Sequence, residues 1–220
     1  DDTPEGQSTV AAGARAGQTG SRSWAVKAEA VDAFHAKADV VAALSAVGAP
    51  VANLQVSTDA PDWYHPGRSG CLRLGPNVLA QFGEVHPRVA AAMDVDGPIS
   101  VFEIFIDNIP PRKSKGGAAK PLLTVSAFQP VRRDFAFIVD EDVAAGNVLR
   151  AARTVDRSLI TDAELFDVYR GKGVDDGKKS LALAVTLQPV EATMTEKEID
   201  AVAEKIVANV NKQTGGTLRD

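Results

Sequence analysis

The sequence predicts an α+β protein built as two units, and three observations carry that prediction. Residues 179–188 alternate strictly, with Leu181, Leu183, Val185 and Leu187 on one side and Ser180, Ala182, Ala184 and Thr186 on the other. Ile199, Val202, Ile206 and Val210 recur at three- and four-residue steps, the stripe of an amphipathic helix. Between residues 108 and 120, Pro110, Pro111, Gly116 and Gly117 erase both periods, which marks a linker. At 220 residues the chain has room for two units of about 100 residues each.

Before the linker the pattern is mixed. A helix is expected around 36–47, stopped by Gly48 and Pro50. Short strands follow near 51–56, 71–74 and 78–83, and a last strand over 99–107 closes the unit. Residues 1–23 have few apolar anchors and read as a flexible lead-in, so this unit, 1–108, reads as a domain cut on its N-terminal side. Gly13, Gly17 and Gly20 lie in that stretch but lack the Gly-Lys-Thr ending of a phosphate loop.

After the linker, 109–121, the elements succeed one another cleanly. Phe135, Phe137 and Val139 share one face of a strand, and Ala136 and Ile138 share the other. Asp142 stands where it can cap a helix carrying Val148, Leu149 and Ala152. Residues 159–169 read as a second strand, Gly171 to Gly177 as a loop, and 179–188 as the third strand. Thr195 and Glu198 have the spacing of a capping box at the start of the second helix. Gly215 and Gly216 end it, leaving 217–219 for a short last strand. The order β-α-β-β-α-β over 122–220 is the split, ferredoxin-like arrangement.

Two helices cover one face of such a sheet and leave the other open. Alternation assigns Phe166 and Val168 to the covered core. It assigns Ala136, Ile138, Asp167, Tyr169, Ser180, Ala182 and Ala184 to the open face. Small neighbours leave room there for an unstacked base on the Tyr169 ring, and the Asp167 carboxylate can accept hydrogen bonds from a guanine edge. Arg132, Arg133, Arg170, Lys172, Lys178 and Lys179 stand at the rim as candidate phosphate contacts.

Composition limits the alternatives. A net charge of −5 excludes a broad basic surface, so RNA contact has to be local and based on stacking and shape. Cys71 is the single cysteine, which leaves no internal disulfide and no paired-cysteine metal site. No apolar run approaches a membrane span, and the first residues lack the pattern of a secretory signal, so a cytosolic protein is expected. His65 and His86 each precede a proline and read as turn entries; a hydrolase built on them with Glu103 ranks low. Trp24 and Trp63 read as core or interface anchors. Pairing of the open sheet with another protein, as a dimerisation module, is the second reading.

Several motifs in order resemble one family. The stretches Phe-Asp-Val-Tyr-Arg-Gly at 166–171, Gly-Lys-Lys-Ser-Leu-Ala at 177–182, Gln-Pro-Val-Arg-Arg-Asp-Phe-Ala at 129–136 and the closing Gly-Gly-Thr-Leu-Arg resemble the anticodon-binding domain of bacterial phenylalanyl-tRNA synthetase beta subunits. Trp-Tyr-His-Pro-Gly-Arg-Ser at 63–69, Phe-Gly-Glu-Val-His-Pro at 82–87 and Val-Phe-Glu-Ile at 101–104 resemble the end of that subunit's catalytic-like domain. The resemblance implies a partial class II synthetase-like fold followed by the ferredoxin-like sandwich. It also implies an alpha2-beta2 ligase, a heterotetramer that joins phenylalanine to its tRNA with ATP and magnesium, the chemistry lying in alpha. It maps Asp167 and Tyr169 onto the residues that meet the first anticodon base, and Ser180 and Ala136 onto the surface around them. No catalytic or metal-binding residue is implied here.

Overall fold

The computed structural model describes residues 3, 6–111, 122 and 125–219. The linker predicted at 109–121 therefore lies outside the described residues from 112 on. The chain divides into two compact units, Asp1–Ala119 and Lys120–Asp220.

The first unit is a five-stranded antiparallel sheet in the order β1-β5-β4-β3-β2 with one long helix against it. The strands are β1 (Val10–Ala16), β2 (Gln55–Ser57), β3 (Tyr64–Leu74), β4 (Asn77–Val85) and β5 (Ile99–Phe105). Helix α1 (Ala33–Ala46) starts three residues before the predicted helix because Asp32 caps it. The Asp32 carboxylate accepts from the Phe34 and His35 N–H groups at 2.9 and 3.1 Å, and the His35 ring accepts from the Asp32 N–H. Ala36, Val40 and Leu44 then bury against Leu72, Ala80, Phe82 and Ile104. A short second helix, α2 (Pro87–Ala92), is capped by His86, whose Nδ1 accepts from the Arg88 N–H at 3.1 Å.

Two expectations fail in this unit, and a third, for the tryptophans, loses its core alternative. Residues 10–16 are an edge strand paired with β5, not a flexible lead-in, and Gly13 sits so tightly under Phe102 that a Cβ there would lie 2.5 Å from the ring. The strand expected over 51–56 splits into a 3-10 turn, Val51–Asn53, and β2. Trp24 is fully exposed and Trp63 half-exposed, so neither is a core anchor of the described residues.

The second unit is a four-stranded antiparallel sheet in the order β7-β8-β6-β9, formed by β6 (Val131–Asp140), β7 (Ile160–Tyr169), β8 (Lys178–Leu187) and β9 (Thr217–Leu218). Helices α3 (Ala145–Arg153) and α4 (Glu196–Thr214) cover one face. The predicted β-α-β-β-α-β order is the one observed. Phe135, Phe137, Val139, Leu181, Leu183, Val185 and Leu187 meet Val148, Ala151, Ile199, Ile206 and Val210 in a single core. Each large side chain buried there contributes about 1.5–3 kcal/mol. The Thr195–Glu198 capping box starts α4, and Gly215, at φ +70°, ends it in the left-handed region. Asp142 caps no helix among the described residues: α3 begins at Ala145, and its N-cap, Ala144, makes no side-chain capping bond.

Candidate nucleic-acid interface

Strand register fixes which side chains stand together on the helix-free face. Ala182 on β8 lies opposite Ala136 on β6 and Asp167 on β7, and Ser180 lies opposite Ile138 and Tyr169. Directly opposite residues of antiparallel strands point to the same side. Two adjacent rows result, Ala136–Ala182–Asp167 and Ile138–Ser180–Tyr169, and the four residues predicted as the base-contacting set are all in them. The first row is a floor of two methyl groups beside a carboxylate, and Asp167 has no hydrogen-bond or ion-pair partner among the described residues.

Strand β7 reaches this arrangement by a route that alternation does not foresee. Its register with β8 shifts between Ile160 and Asp162 and again between Leu165 and Asp167. An inserted residue reverses the phase of every side chain beyond it. Leu165, not Phe166, therefore packs on the core, while Phe166 is the extra residue at the second shift and is 54 % exposed. Val168 faces the helix side opposite Leu181 yet is 40 % exposed at the end of an outer strand, outside the core. The expectation that both belong to the core is corrected by this bulge and this strand end. Asp167 and Tyr169 keep their predicted side because they lie beyond the bulge, in the frame that alternation assumes.

Tyr169 is held by three contacts. Its hydroxyl donates to the Lys172 carbonyl at 3.2 Å. Its tip lies so close to Gly171 that a Cβ there would meet the hydroxyl at 2.8 Å. Arg219 places its guanidinium carbon 5.2 Å from the ring centroid, a cation–π contact. Arg219 follows β9, and its N–H donates to the Ala136 carbonyl at 2.7 Å. The contact thus spans from one outer strand to the other and passes over β6 and β8 at the level of Ile138 and Ser180. Ser180 faces the helix-free side and is 3 % exposed, as Ala184 on the same side of this inner strand is 2 % exposed. Tyr169 as a residue is 38 % exposed and stands outside the core that the helices cover.

Arg219 is absent from the set that the sequence pattern points to. The signal is nevertheless there: residue 219 continues β9 by one step and falls on the same face as Thr217, opposite Ala136.

The six rim cations differ in their freedom. Arg132 lies 3.8 Å from Asp134 and 3.9 Å from Glu164, and Arg133 lies 4.0 Å from Asp200. Arg170 pairs with Glu141 through Nε and Nη2, and Lys179 donates from Nζ to the Glu141 carbonyl at 2.7 Å. Lys172 and Lys178 have no ion pair among the described residues.

The residues of the discounted hydrolase are engaged locally. His65 accepts from the Gly67 N–H and contacts Arg68, His86 caps α2, and Glu103 accepts from the buried Tyr64 hydroxyl at 3.1 Å. Burial first, then Glu103, raises the Tyr64 phenol far above its ordinary value. Among the described residues no cluster of three or more His, Cys, Asp or Glu is placed to hold a metal ion, and no helix is long and apolar enough to cross a membrane.

Comparison with known proteins gives two matches along the chain. Residues 1–106 match the phenylalanyl tRNA synthetase beta chain CLM domain, and residues 126–219 match the ferredoxin-fold anticodon binding domain. The phenylalanine–tRNA ligase beta subunit of Bradyrhizobium diazoefficiens is 54 % identical over 99 % of this chain and 28 % of its own length. That of Rhodospirillum rubrum is 53 % identical over 98 % of the chain and 27 % of its own length. The Brucella abortus protein of the same name is 47 % identical over 99 % and 28 %. The chain thus spans little more than a quarter of the length of these relatives.

Proposed function

From the premise that this chain belongs to the phenylalanyl-tRNA synthetase beta-chain family, we propose that its second unit binds the anticodon of the tRNA for phenylalanine on the helix-free face of the sheet. One observation carries the reading: three neighbouring strands bring Ala136, Ala182 and the unpartnered Asp167 into one row, directly beside the row that ends in the Tyr169 ring. An unpaired base needs a flat floor, a ring to stack on and a polar group at its edge, and these rows supply all three.

In this reading the base stacks on Tyr169 in place of the Arg219 guanidinium. Stacking on an aromatic side chain is worth about 1–3 kcal/mol per base. The exposed cation–π contact that it replaces is worth about 0.5–1 kcal/mol. The exchange therefore favours the nucleotide. Asp167 accepts from the base edge, which selects guanine by its amino and imino donors. Ala136 and Ser180 shape the surface on either side, and the rim cations meet phosphates.

The first unit serves as scaffold in the proposed assembly, an alpha2-beta2 heterotetramer in the cytoplasm. The alpha subunit carries the ligase chemistry with ATP and magnesium, and neither ligand is assigned a residue of this chain.

The test is a fluorescence anisotropy titration of the 220-residue chain against a labelled anticodon stem-loop. Saturable binding that prefers the stem-loop over a scrambled loop of equal length is expected, with no aminoacylation by this chain alone. Equal binding of both loops would overturn the assignment.

A further inference from the structure

We propose that Arg219 is a specificity-determining residue: shifted off the Tyr169 ring by the arriving base, its guanidinium donates to the O6 and N7 acceptors of guanine while Asp167 accepts from the adjoining donor edge. The proposal rests on the anticodon reading and adds to it a residue that the sequence pattern does not point to.

Strand register places Arg219 on the helix-free face. Leu218 and Thr217 lie opposite Phe137 and Ile138, so residue 219 comes opposite Ala136, and its N–H donates to the Ala136 carbonyl at 2.7 Å. Opposite residues share a side, so Arg219 extends the row Ala136–Ala182–Asp167 beyond β6. The side chain agrees with the backbone, since the guanidinium carbon stands 5.2 Å from the centroid of the Tyr169 ring. One row thus carries a guanidinium at one end, a carboxylate at the other and two methyl groups between them. Among the described residues, neither charged side chain makes a hydrogen bond or an ion pair.

A carboxylate only accepts and a guanidinium only donates. Asp167 by itself separates the bases incompletely, because the amino groups of adenine and cytosine also donate to a carboxylate. Guanine is the base that sets two acceptors, O6 and N7, next to its imino and amino donors. Adenine carries an amino group in the place of O6 and so sets donor against donor at the guanidinium. The planar fork of Arg takes O6 and N7 together. The two groups also approach from different directions. Asp167 stands two residues before Tyr169, about 7 Å along β7, whereas Arg219 arrives across the strands from β9. A base stacked on the ring therefore meets the carboxylate on one edge and the guanidinium on the next, and the two edges of guanine adjoin at O6. The guanidinium already lies against the ring, so it has only to slide to the rim of the base.

The experiment titrates the full chain and its Arg219→Met variant with anticodon stem-loops that carry guanine, 7-deazaguanine or adenine at the first anticodon position, across a salt series. The parent is expected to bind the guanine loop about three- to tenfold tighter than the 7-deazaguanine loop, which lacks only the N7 acceptor. Arg219→Met, shown to fold by circular dichroism, is expected to erase that ratio and to reduce the preference over adenine about tenfold, with its salt slope unchanged. Equal binding of the guanine and 7-deazaguanine loops by the parent overturns the role of Arg219 without any variant, and leaves the anticodon reading standing. Equal weakening of all three loops in Arg219→Met, with a salt slope shallower by about 0.7, also overturns it, since Arg219 would then meet a phosphate. Tighter binding of all three loops by Arg219→Met overturns it too, because the guanidinium would then be only a cover on the ring. Failure of the parent to bind the guanine loop overturns both readings.

Discussion

Replacing Tyr169 with Ala separates the ring from every other contribution to the platform, and its effect follows from two opposing quantities. In the proposed complex the ring exchanges the Arg219 guanidinium, 5.2 Å from its centroid in the free chain, for the base. The variant has no ring to stack on, a loss of about 1–3 kcal/mol, but it also has no cation–π contact to break, which offsets about 0.5–1 kcal/mol. The net loss is about 0.5–2 kcal/mol, a weakening of about two- to thirtyfold. Tyr169→Phe is the necessary companion. It retains the ring and the guanidinium contact and loses only the hydroxyl that donates to the Lys172 carbonyl, a bond worth about 0.5–1.5 kcal/mol at most and exposed to water. Its affinity is expected to stay within about threefold of the parent. Anisotropy titrations of both variants with the stem-loop measure this, after circular dichroism has established that they fold. A folded Tyr169→Ala chain that binds like the parent would refute stacking, and a Tyr169→Phe chain as weak as Tyr169→Ala would transfer the role from the ring to the hydroxyl.

Other consequences are as direct. Asp167→Ala removes the acceptor at the base edge, so the preference for guanine at the first anticodon position should fall by about 1–3 kcal/mol in competition among four loop variants, with non-guanine loops little affected; retained preference would move recognition elsewhere. Thr195→Ala removes the cap of α4 and should cost about 1 kcal/mol in urea denaturation without altering RNA affinity, because α4 lies on the covered face; a large loss of affinity would show that the two faces are coupled. Acid should weaken the second unit through two depressed carboxyls. Ser158 first, with the Leu159 N–H, holds Asp156 below its ordinary 3.8, and the Thr195 N–H first, with its hydroxyl, holds Glu198 below its ordinary 4.5. Stability from a depressed carboxyl is complete above the unfolded value and lost as pH falls through the folded one. The urea midpoint should therefore decline below about pH 4.5, and a midpoint flat down to about pH 3 would contradict it.

Elements with one face in a core can be read from the sequence. The stripes of β6, β8 and α4 each name a buried set, and the capping box of α4 marks its first turn, so the second unit's topology follows from local pattern. The four residues proposed to meet the base are legible for the same reason, since alternation in β6 and β8 puts Ala136 and Ser180 on the side away from the core residues. What escapes the sequence has a common cause in long-range pairing. Strand β1 is an edge of Ala and Gly exposed along nearly its whole length, so its only signal is its register with β5. The bulge at Phe166 inserts a residue without changing composition, and a period of two cannot register an insertion. The engagement of Arg170 and Lys179 by Glu141 joins the ends of β6, β7 and β8, which no local pattern records. Asp142 is a plausible cap by residue type, but the helix begins later, at a residue with no capping side chain.

Amide chemical-shift mapping tests the central claim most directly. On titration of the isotope-labelled chain with the anticodon stem-loop, the largest changes are predicted at Ala136, Asp167, Tyr169, Ser180, Ala182 and Arg219, with α3 and the exposed side of α4 unmoved. Changes concentrated on the helices, or on the first unit with the β6–β8–β7 face silent, would contradict the account.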